Sequence, residues 1–149
     1  HAAARHAPCA RRRISGASVE RALSILRALG LADRSDDWAQ DLGAPELKML
    51  EFARATMAAP RLMMLDEPAA GVNPALMENL AAQIRGLRDR GVTFLVVDHN
   101  LKFISAVCEE VFAMADGRVI ARGSCAEVIA NPEVVRLYIG SGEEGGRPA

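Results

Sequence analysis

An apolar run that stops at two adjacent carboxylates and a proline most constrains the fold. Leu62 to Leu65 are four large apolar residues, and Asp66, Glu67 and Pro68 follow directly. An unbroken apolar run of this length predicts a strand covered on both faces, as in a parallel sheet, and Pro68 cannot continue a strand ladder. We therefore expect both acids at the carboxyl end of a strand, where open α/β sheets bind ligands.

A carboxylate pair at such an edge can hold Mg²⁺ and orient a water molecule. The alternative is two solvated acids in a turn, because apolar runs that end in acids are common. The acid pair alone does not decide between these two interpretations.

The composition is that of a globular chain of domain size. The 149 residues are 50% hydrophobic and 25% charged, which is enough to build a core. The net charge of −1 provides no basic field, so we expect no nucleic-acid partner. Cys9, Cys108 and Cys125 form no CxxC pair, which argues against a zinc site or a disulfide framework and favours a reducing compartment.

The two ends differ from the rest of the chain. His1 stands where an intact product normally begins with Met, so we expect the sequence to start part-way through a longer protein. Residues 1–17 open on an Ala/Arg-rich stretch that we interpret as a truncated, disordered connector, with a transit peptide or basic arm as the alternative. Residues 141–149 are rich in Gly and Glu and predict a disordered tail.

Two amphipathic helices are predicted before the apolar run. Ser18 is the expected N-cap of the first, which Gly30 ends, and Pro45 suits the first turn of the second. The predicted inward positions are Val19, Leu23, Leu26 and Leu29 on the first helix and Leu47, Leu50, Ala53 and Met57 on the second.

A strand-helix-strand unit follows. Asn73-Pro74 predicts the start of a helix that Gly91 ends, and Val92 to Val97 predicts a second strand that stops at Asp98-His99-Asn100. Such units pair their strands in parallel, so Glu67 and His99 should meet at one sheet edge. Two acids and an imidazole there favour phosphoryl chemistry, although His99 could be a turn residue and Asn100 a helix cap.

The remaining elements complete an α/β fold. Helix is predicted from Leu101 to Glu109, and Asp116-Gly117 predicts the turn of an antiparallel hairpin. A helical segment from Ala126 to Ile139 should break near Asn131-Pro132. The hairpin strands are predicted over Val111 to Ala115 and Arg118 to Ala121.

These motifs resemble the ATP-binding subunits of ABC transporters, and most closely the branched-chain amino acid importer type. Leu62 to Glu67 resembles the Walker B strand, 69–74 the D-loop, and His99 the switch histidine. The resemblance implies a partial P-loop NTPase-like core in which Asp66 holds Mg²⁺, Glu67 activates the hydrolytic water and His99 contacts the γ-phosphate of ATP. It also assigns Gly71 and Asn73 to the nucleotide site.

Two departures from the family pattern stand out. The sequence contains no GxxxxGK[ST], and its only lysines are Lys48 and Lys102, so the chain alone should bind ATP weakly and lack activity. The family's LSGGQ falls on a segment changed at its serine and second glycine, where Glu46 adds a negative charge. The resemblance implies that this segment meets the γ-phosphate bound by the opposite subunit, whereas the alternative is that Pro45 and Glu46 only start a helix. The segment is Leu42, Gly43, Ala44, Pro45 and Glu46.

The resemblance divides the chain into part of a helical subdomain (18–58), the C-terminal half of the ATPase core (59–125) and a helical extension (126–140). It implies the ATP-hydrolysing subunit of an importer of branched-chain amino acids, with urea-type and lipopolysaccharide-type systems as alternatives. The implied partners are a second ATPase subunit, a membrane permease and, indirectly, a solute-binding protein. The implied location is the cytoplasmic face of the plasma membrane.

Two interpretations of another class remain. The chain could be a non-catalytic module that pairs with an intact ATPase subunit, which the missing phosphate loop favours. It could also be a phosphoacceptor domain that is phosphorylated on Asp66. That fold requires an early acidic pair and a late lysine at a strand end, and the sequence contains neither. An uncovered sheet edge and apolar face would make the chain prone to association.

Overall fold

The computed structural model describes residues 15–139. The sequence interpretations of residues 1–14 and of residues 140–149 lie outside this range. The predicted disordered connector extends to residue 17, but Ser15 is a helix N-cap and residues 16–17 begin the first helix. The helices are α1 (Gly16–Ala28), α2 (Ala44–Met57), α3 (Pro74–Arg88), α4 (Leu101–Val107), α5 (Cys125–Ala130) and α6 (Pro132–Val134), and the strands are β1 (Leu62–Asp66), β2 (Thr93–Val97), β3 (Val111–Ala115) and β4 (Arg118–Gly123). Single 3₁₀ turns span Ala32–Arg34 and Ala39–Asp41, and a π-helical turn spans Val135–Ile139.

The predicted strand-helix-strand unit is confirmed. β1 and β2 pair in parallel from Leu62 opposite Thr93 to Asp66 opposite Val97, and α3 connects them. Asn73 caps α3 because its side-chain oxygen accepts a hydrogen bond from the Leu76 amide, and a proline occupies the next position. The carboxyl ends of the two strands therefore lie side by side.

The prediction that β1 is covered on both faces is wrong within residues 15–139. Met63 is buried, but the other face of the sheet is open, with side chains 51% to 71% exposed. Side chains alternate between the two faces of a strand, and the described helices pack on one face only. We call the open face the exposed sheet face; it consists of Leu62, Met64, Leu95 and Val97.

One apolar core joins the two segments that the sequence divides at residue 58. Met49 of α2, Leu80 and Ile84 of α3 and Phe103 of α4 are each 1% exposed, and Leu29 at the end of α1 is fully buried. These residues belong to a single packed cluster with Met63 of β1. The helices around the predicted signature segment are therefore anchored on the same core as the strands.

Helix-face and cap assignments need correction. The first helix begins earlier than predicted, because Ser15 rather than Ser18 is its N-cap and accepts a hydrogen bond from the Ser18 amide. Val19 is 46% exposed, so it does not join the core. On α2 only Ala53 of the predicted positions is fully buried, since packing selects the neighbouring stripe of the same helix. That stripe is Met49, Phe52, Ala53 and Thr56.

The C-terminal elements follow the prediction with small shifts. Asp116 and Gly117 both have positive φ, at 48° and 74°, as a two-residue hairpin turn requires. β3 and β4 form a separate antiparallel pair with an irregularity after Ala113, and β4 runs two residues further than predicted. α4 ends at Val107 instead of Glu109, and the helical segment breaks at Asn131 as expected.

Candidate functional site

Glu67 and His99 lie together at the ends of the paired strands. Their closest side-chain atoms, Glu67 Oε1 and His99 Nδ1, are 4.0 Å apart. The two side chains are 60% and 75% exposed, so both can reach a ligand from solvent. This is the meeting that the strand-helix-strand pattern predicts.

The backbone of Glu67 is held in an unusual conformation. Its φ of 45° lies in the left-handed region, which costs a non-glycine residue about 1–2 kcal/mol. Three hydrogen bonds fix it there: its N–H donates to the Val97 carbonyl at 2.8 Å, and its own carbonyl accepts from Lys48 Nζ at 3.0 Å and from the Ala70 amide at 3.1 Å. Lys48 also donates to the Ala70 carbonyl at 2.6 Å. The acidic turn is thus tied to both β2 and α2.

Asp98 connects the two loops that carry Glu67 and His99. Its side chain is fully buried. One carboxylate oxygen accepts from the Ala69 amide at 2.9 Å, and the other accepts from the Asn100 amide at 2.8 Å. Asn100 in turn caps α4 by accepting from the Phe103 amide at 3.1 Å, which confirms it as a helix cap.

Asp66 ends β1 on the same side of the strand as the exposed sheet face. It is exposed and lies opposite Val97. A shallow pocket of about 260 Å³ opens beside it, between α2 and the acidic turn, with Lys48 and Phe52 on its α2 side. Within residues 15–139 no three His, Cys, Asp or Glu side chains converge on one point that could hold a metal ion. One or two carboxylates suffice for Mg²⁺ bound together with phosphates and water.

Gly71 and Asn73 shape the loop that leads into α3. Gly71 has φ of 69°, a conformation that glycine adopts without strain. The side-chain oxygen of Asn73 caps α3 by accepting a hydrogen bond from the Leu76 amide at 2.9 Å. The structure thus gives Asn73 a structural task, and its exposed position leaves its amide group accessible.

Comparisons with known proteins identify relatives of the chain. No protein-family model matches the chain. Over 123 residues, 83% of this chain and 48% of the other, the chain is 41% identical to a protein of Archaeoglobus fulgidus named "Probable branched-chain amino acid transport ATP-binding protein LivG". This chain is homologous to ABC transporter ATP-binding proteins.

A second ABC relative serves another kind of transport. The lipopolysaccharide export system ATP-binding protein LptB of Escherichia coli K12 is 35% identical over 121 residues, which are 81% of this chain and 50% of LptB. The crystal structure of the ADP conformation of an ABC transporter ATP-binding cassette matches with a TM-score of 0.72 at 33% identity, covering 85% of this chain and 52% of that one. The fold is therefore that of the ABC ATPase domains, and the chain spans about half the length of the relatives it matches.

Residues 42–46, the predicted signature segment, form a helix start. Gly43 is the N-cap of α2, and the Glu46 carboxylate accepts from the Gly43 amide at 2.8 Å. The other Glu46 oxygen pairs with Arg34 at 3.0 Å. Hydrogen bonding to Asp37 and the charge of Glu46 both raise the pKa of Arg34.

Sequence reasoning missed two residues of this candidate site, Lys48 and Asp98. Asp98 could have been found from its place directly before His99 at a strand end. Lys48 could have been noticed because the sequence contains only two lysines. In the described part of the chain, residues 42–46 make no hydrogen bond or ion pair with Asp66, Glu67 or His99. No helix in that range has the length and hydropathy to cross a bilayer.

Proposed function

We propose that this chain supplies Asp66, Glu67 and His99 to the ATP-hydrolysing site of an ABC transporter subunit. The observation that carries the proposal is the 4.0 Å approach of Glu67 and His99 at the ends of adjacent parallel strands. A carboxylate and an imidazole at that separation can act on the same water and phosphoryl group.

Each residue has a distinct task in this proposal. Glu67 accepts the proton of the attacking water, because its carboxylate is exposed and its backbone is fixed by Val97 and Lys48. His99 faces the γ-phosphate from the neighbouring loop. Mg²⁺, when bound beside Asp66, would neutralise charge on the phosphate oxygens. An exposed carboxylate at a strand end suits that ion.

The phosphates of ATP need further donors. The sequence holds no GxxxxGK[ST], so in this proposal a loop outside these residues cradles them. Gly71 and Asn73 lie on the same loop as the acidic turn and are proposed to border the nucleotide. Leu42, Gly43, Ala44, Pro45 and Glu46 are proposed to face the nucleotide of a second ATPase subunit, and the Arg34 pair offsets the charge of Glu46.

The relatives support a proposed transport role. We propose that the whole protein powers import of branched-chain amino acids together with a membrane permease, on the cytoplasmic face of the membrane, and that a solute-binding protein delivers the solute. Three of the LivG relatives with distinct sequences support that solute, at 33% to 41% identity. The similarity to LptB keeps a lipopolysaccharide-type system as the second candidate.

The test is a chimera that places the N-terminal half of Archaeoglobus fulgidus LivG before Ser15. Mg²⁺-dependent ATP hydrolysis is expected, and Glu67→Gln should lower kcat about 100- to 10,000-fold while nucleotide binding persists. Glu78→Gln, an exposed change on α3, is the matched control. Equal hydrolysis by the chimera and its Glu67→Gln variant would remove Glu67 as the base.

A non-catalytic pairing role is the alternative of another class. The exposed sheet face favours it, because an uncovered apolar face can bind a partner. In that case the chain, mixed with intact LivG, should form a stoichiometric complex in sedimentation while the chimera hydrolyses no ATP. Hydrolysis without complex formation excludes this role.

A further inference from the structure

We propose that Asp98 is a positioning residue that fixes the loop of Glu67 to the loop of His99. Its two carboxylate oxygens each accept one backbone hydrogen bond, from Ala69 at 2.9 Å and from Asn100 at 2.8 Å. Ala69 is two residues beyond Glu67, and Asn100 is the residue after His99. One side chain thus connects the two site loops directly.

The chemistry requires a carboxylate at this position. The Asp98 side chain is fully buried, and a buried charge is tolerated only when hydrogen bonds replace its lost hydration. Both bonds here are of the charge-assisted kind, which are shorter and stronger than neutral ones. Asparagine would present an N–H₂ group to one of the two amide donors and only an uncharged oxygen to the other, so both loops would be held less tightly.

Asp98 acts through the backbone and not on the imidazole. Its nearest oxygen is 4.0 Å from His99 Nδ1, beyond hydrogen-bond distance. The same ring nitrogen is 4.0 Å from Glu67 Oε1. No direct bond between the two side chains holds the acid and the imidazole at this separation. The separation therefore depends on the backbone, where the Asp98 bridge adds to the strand pairing and to the Glu67–Val97 hydrogen bond.

The relevance of this bridge to catalysis rests on the proposed function, but the bridge itself can be tested without nucleotide. The experiment is amide hydrogen exchange and ¹H–¹⁵N NMR on the full chain. Wild type is compared with Asp98→Asn and with Asp116→Asn, a matched change at an exposed hairpin turn where Asn tolerates the left-handed φ of 48°.

In Asp98→Asn we expect the Ala69 and Asn100 amides to exchange at least about tenfold faster, and their proton resonances to move upfield as the bonds to charge are lost. The amides of Leu80 and Ile84 in α3 should keep their protection. Asp116→Asn should leave all four unchanged. Asp98→Glu retains both acceptor oxygens on a longer stem, so its loss of protection should be smaller and shared by both loops.

Three results overturn the proposal: unchanged exchange at both loops, loosening of one loop only, or an equal rise in α3, which would mean general destabilisation. If Asp98→Asn does not fold, the same criteria apply to Asp98→Glu. Failure of this bridge leaves the ATPase role to be judged by Glu67→Gln in the chimera. Inactivity of the chimera, in turn, leaves the exchange result standing.

Discussion

Lys48 Nζ donates a hydrogen bond to the carbonyl oxygen of Glu67, and this contact links α2, which begins within the predicted signature segment, to the acidic turn. The same ammonium group also donates to the Ala70 carbonyl, so it joins the first and last residues of the turn from Glu67 to Ala70. A left-handed residue at a strand end needs such support, because its own backbone preference opposes the conformation.

Replacing this lysine should loosen the turn. We expect Lys48→Met to lower the free energy of unfolding by about 1–2 kcal/mol, because two charge-assisted bonds to carbonyls are lost while the apolar stem is kept. Urea denaturation followed by circular dichroism measures the change. Lys102→Met, on the exposed side of α4, is the control and should change the stability little. Equal losses in both variants would show that Lys48 contributes no more than an ordinary surface charge.

His99→Ala should separate chemistry from folding. In the chimera with the LivG N-terminal half we expect kcat to fall about 100-fold or more, since a group facing the transferred phosphoryl is lost. The melting temperature should change little, because the side chain is 75% exposed. Steady-state ATPase assays and thermal melts give the two quantities. A wild-type kcat in this variant would make His99 a turn residue only.

The cap of α5 predicts a pH dependence. The Ser124 amide and hydroxyl both donate to the Glu127 carboxylate at 2.8 Å, and these bonds lower the pKa of Glu127. A lowered folded-state pKa means that the carboxylate stabilises the fold above its unfolded-state pKa, and that this stability is lost as pH falls through the lowered value.

¹³C NMR titration of the Glu127 carboxyl group tests that statement. In Ser124→Ala the hydroxyl donor disappears, so the pKa of Glu127 should rise towards its ordinary value. The acid side of the stability profile should shift to higher pH in the same variant. An unchanged Glu127 titration would show that the hydroxyl bond has no part in the shift.

The exposed sheet face should cause self-association of the isolated chain. Met64 is 71% exposed, and Val97, two residues past the cross-strand partner of Met64 (Leu95), is 59% exposed. Contiguous apolar surface of this kind favours association. We expect the double variant Met64→Ser, Val97→Thr to sediment with a smaller average mass than wild type. Trp38→Ser removes an equally exposed apolar side chain elsewhere, at 77%, and should have no such effect. A wild-type monomer that melts cooperatively would contradict this prediction.

Local patterns predicted the elements that carry their own signals. The apolar run before Asp66, the helix start at Asn73 and the turn at Asp116 each appear in the structure where the sequence places them. Turn and cap residues act on backbone within a few positions, so their effect can be read along the chain.

What the sequence could not show are contacts between distant residues. Lys48 meets Glu67 across 19 positions and Asp98 meets Ala69 across 29, and no spacing rule predicts either. The inward stripe of α2 was misassigned for the same reason: two apolar stripes compete, and only packing against α1, β1 and α3 selects Met49 and Phe52. Which faces of β1 are buried also depends on the elements that pack against it, and the local sequence pattern does not specify those elements.

Because β1 and β2 pair in parallel, the number of residues between the paired positions and the site determines where the site side chains lie. Asp66 lies level with Val97, so Glu67 and His99 stand one and two residues past the same level. Deleting one residue inside β2 would draw His99 back by about 3.3 Å and turn the following side chains to the opposite face. Natural length variation should therefore be tolerated before Thr93 and excluded between Thr93 and His99, even where the strand's side chains are freely exchanged.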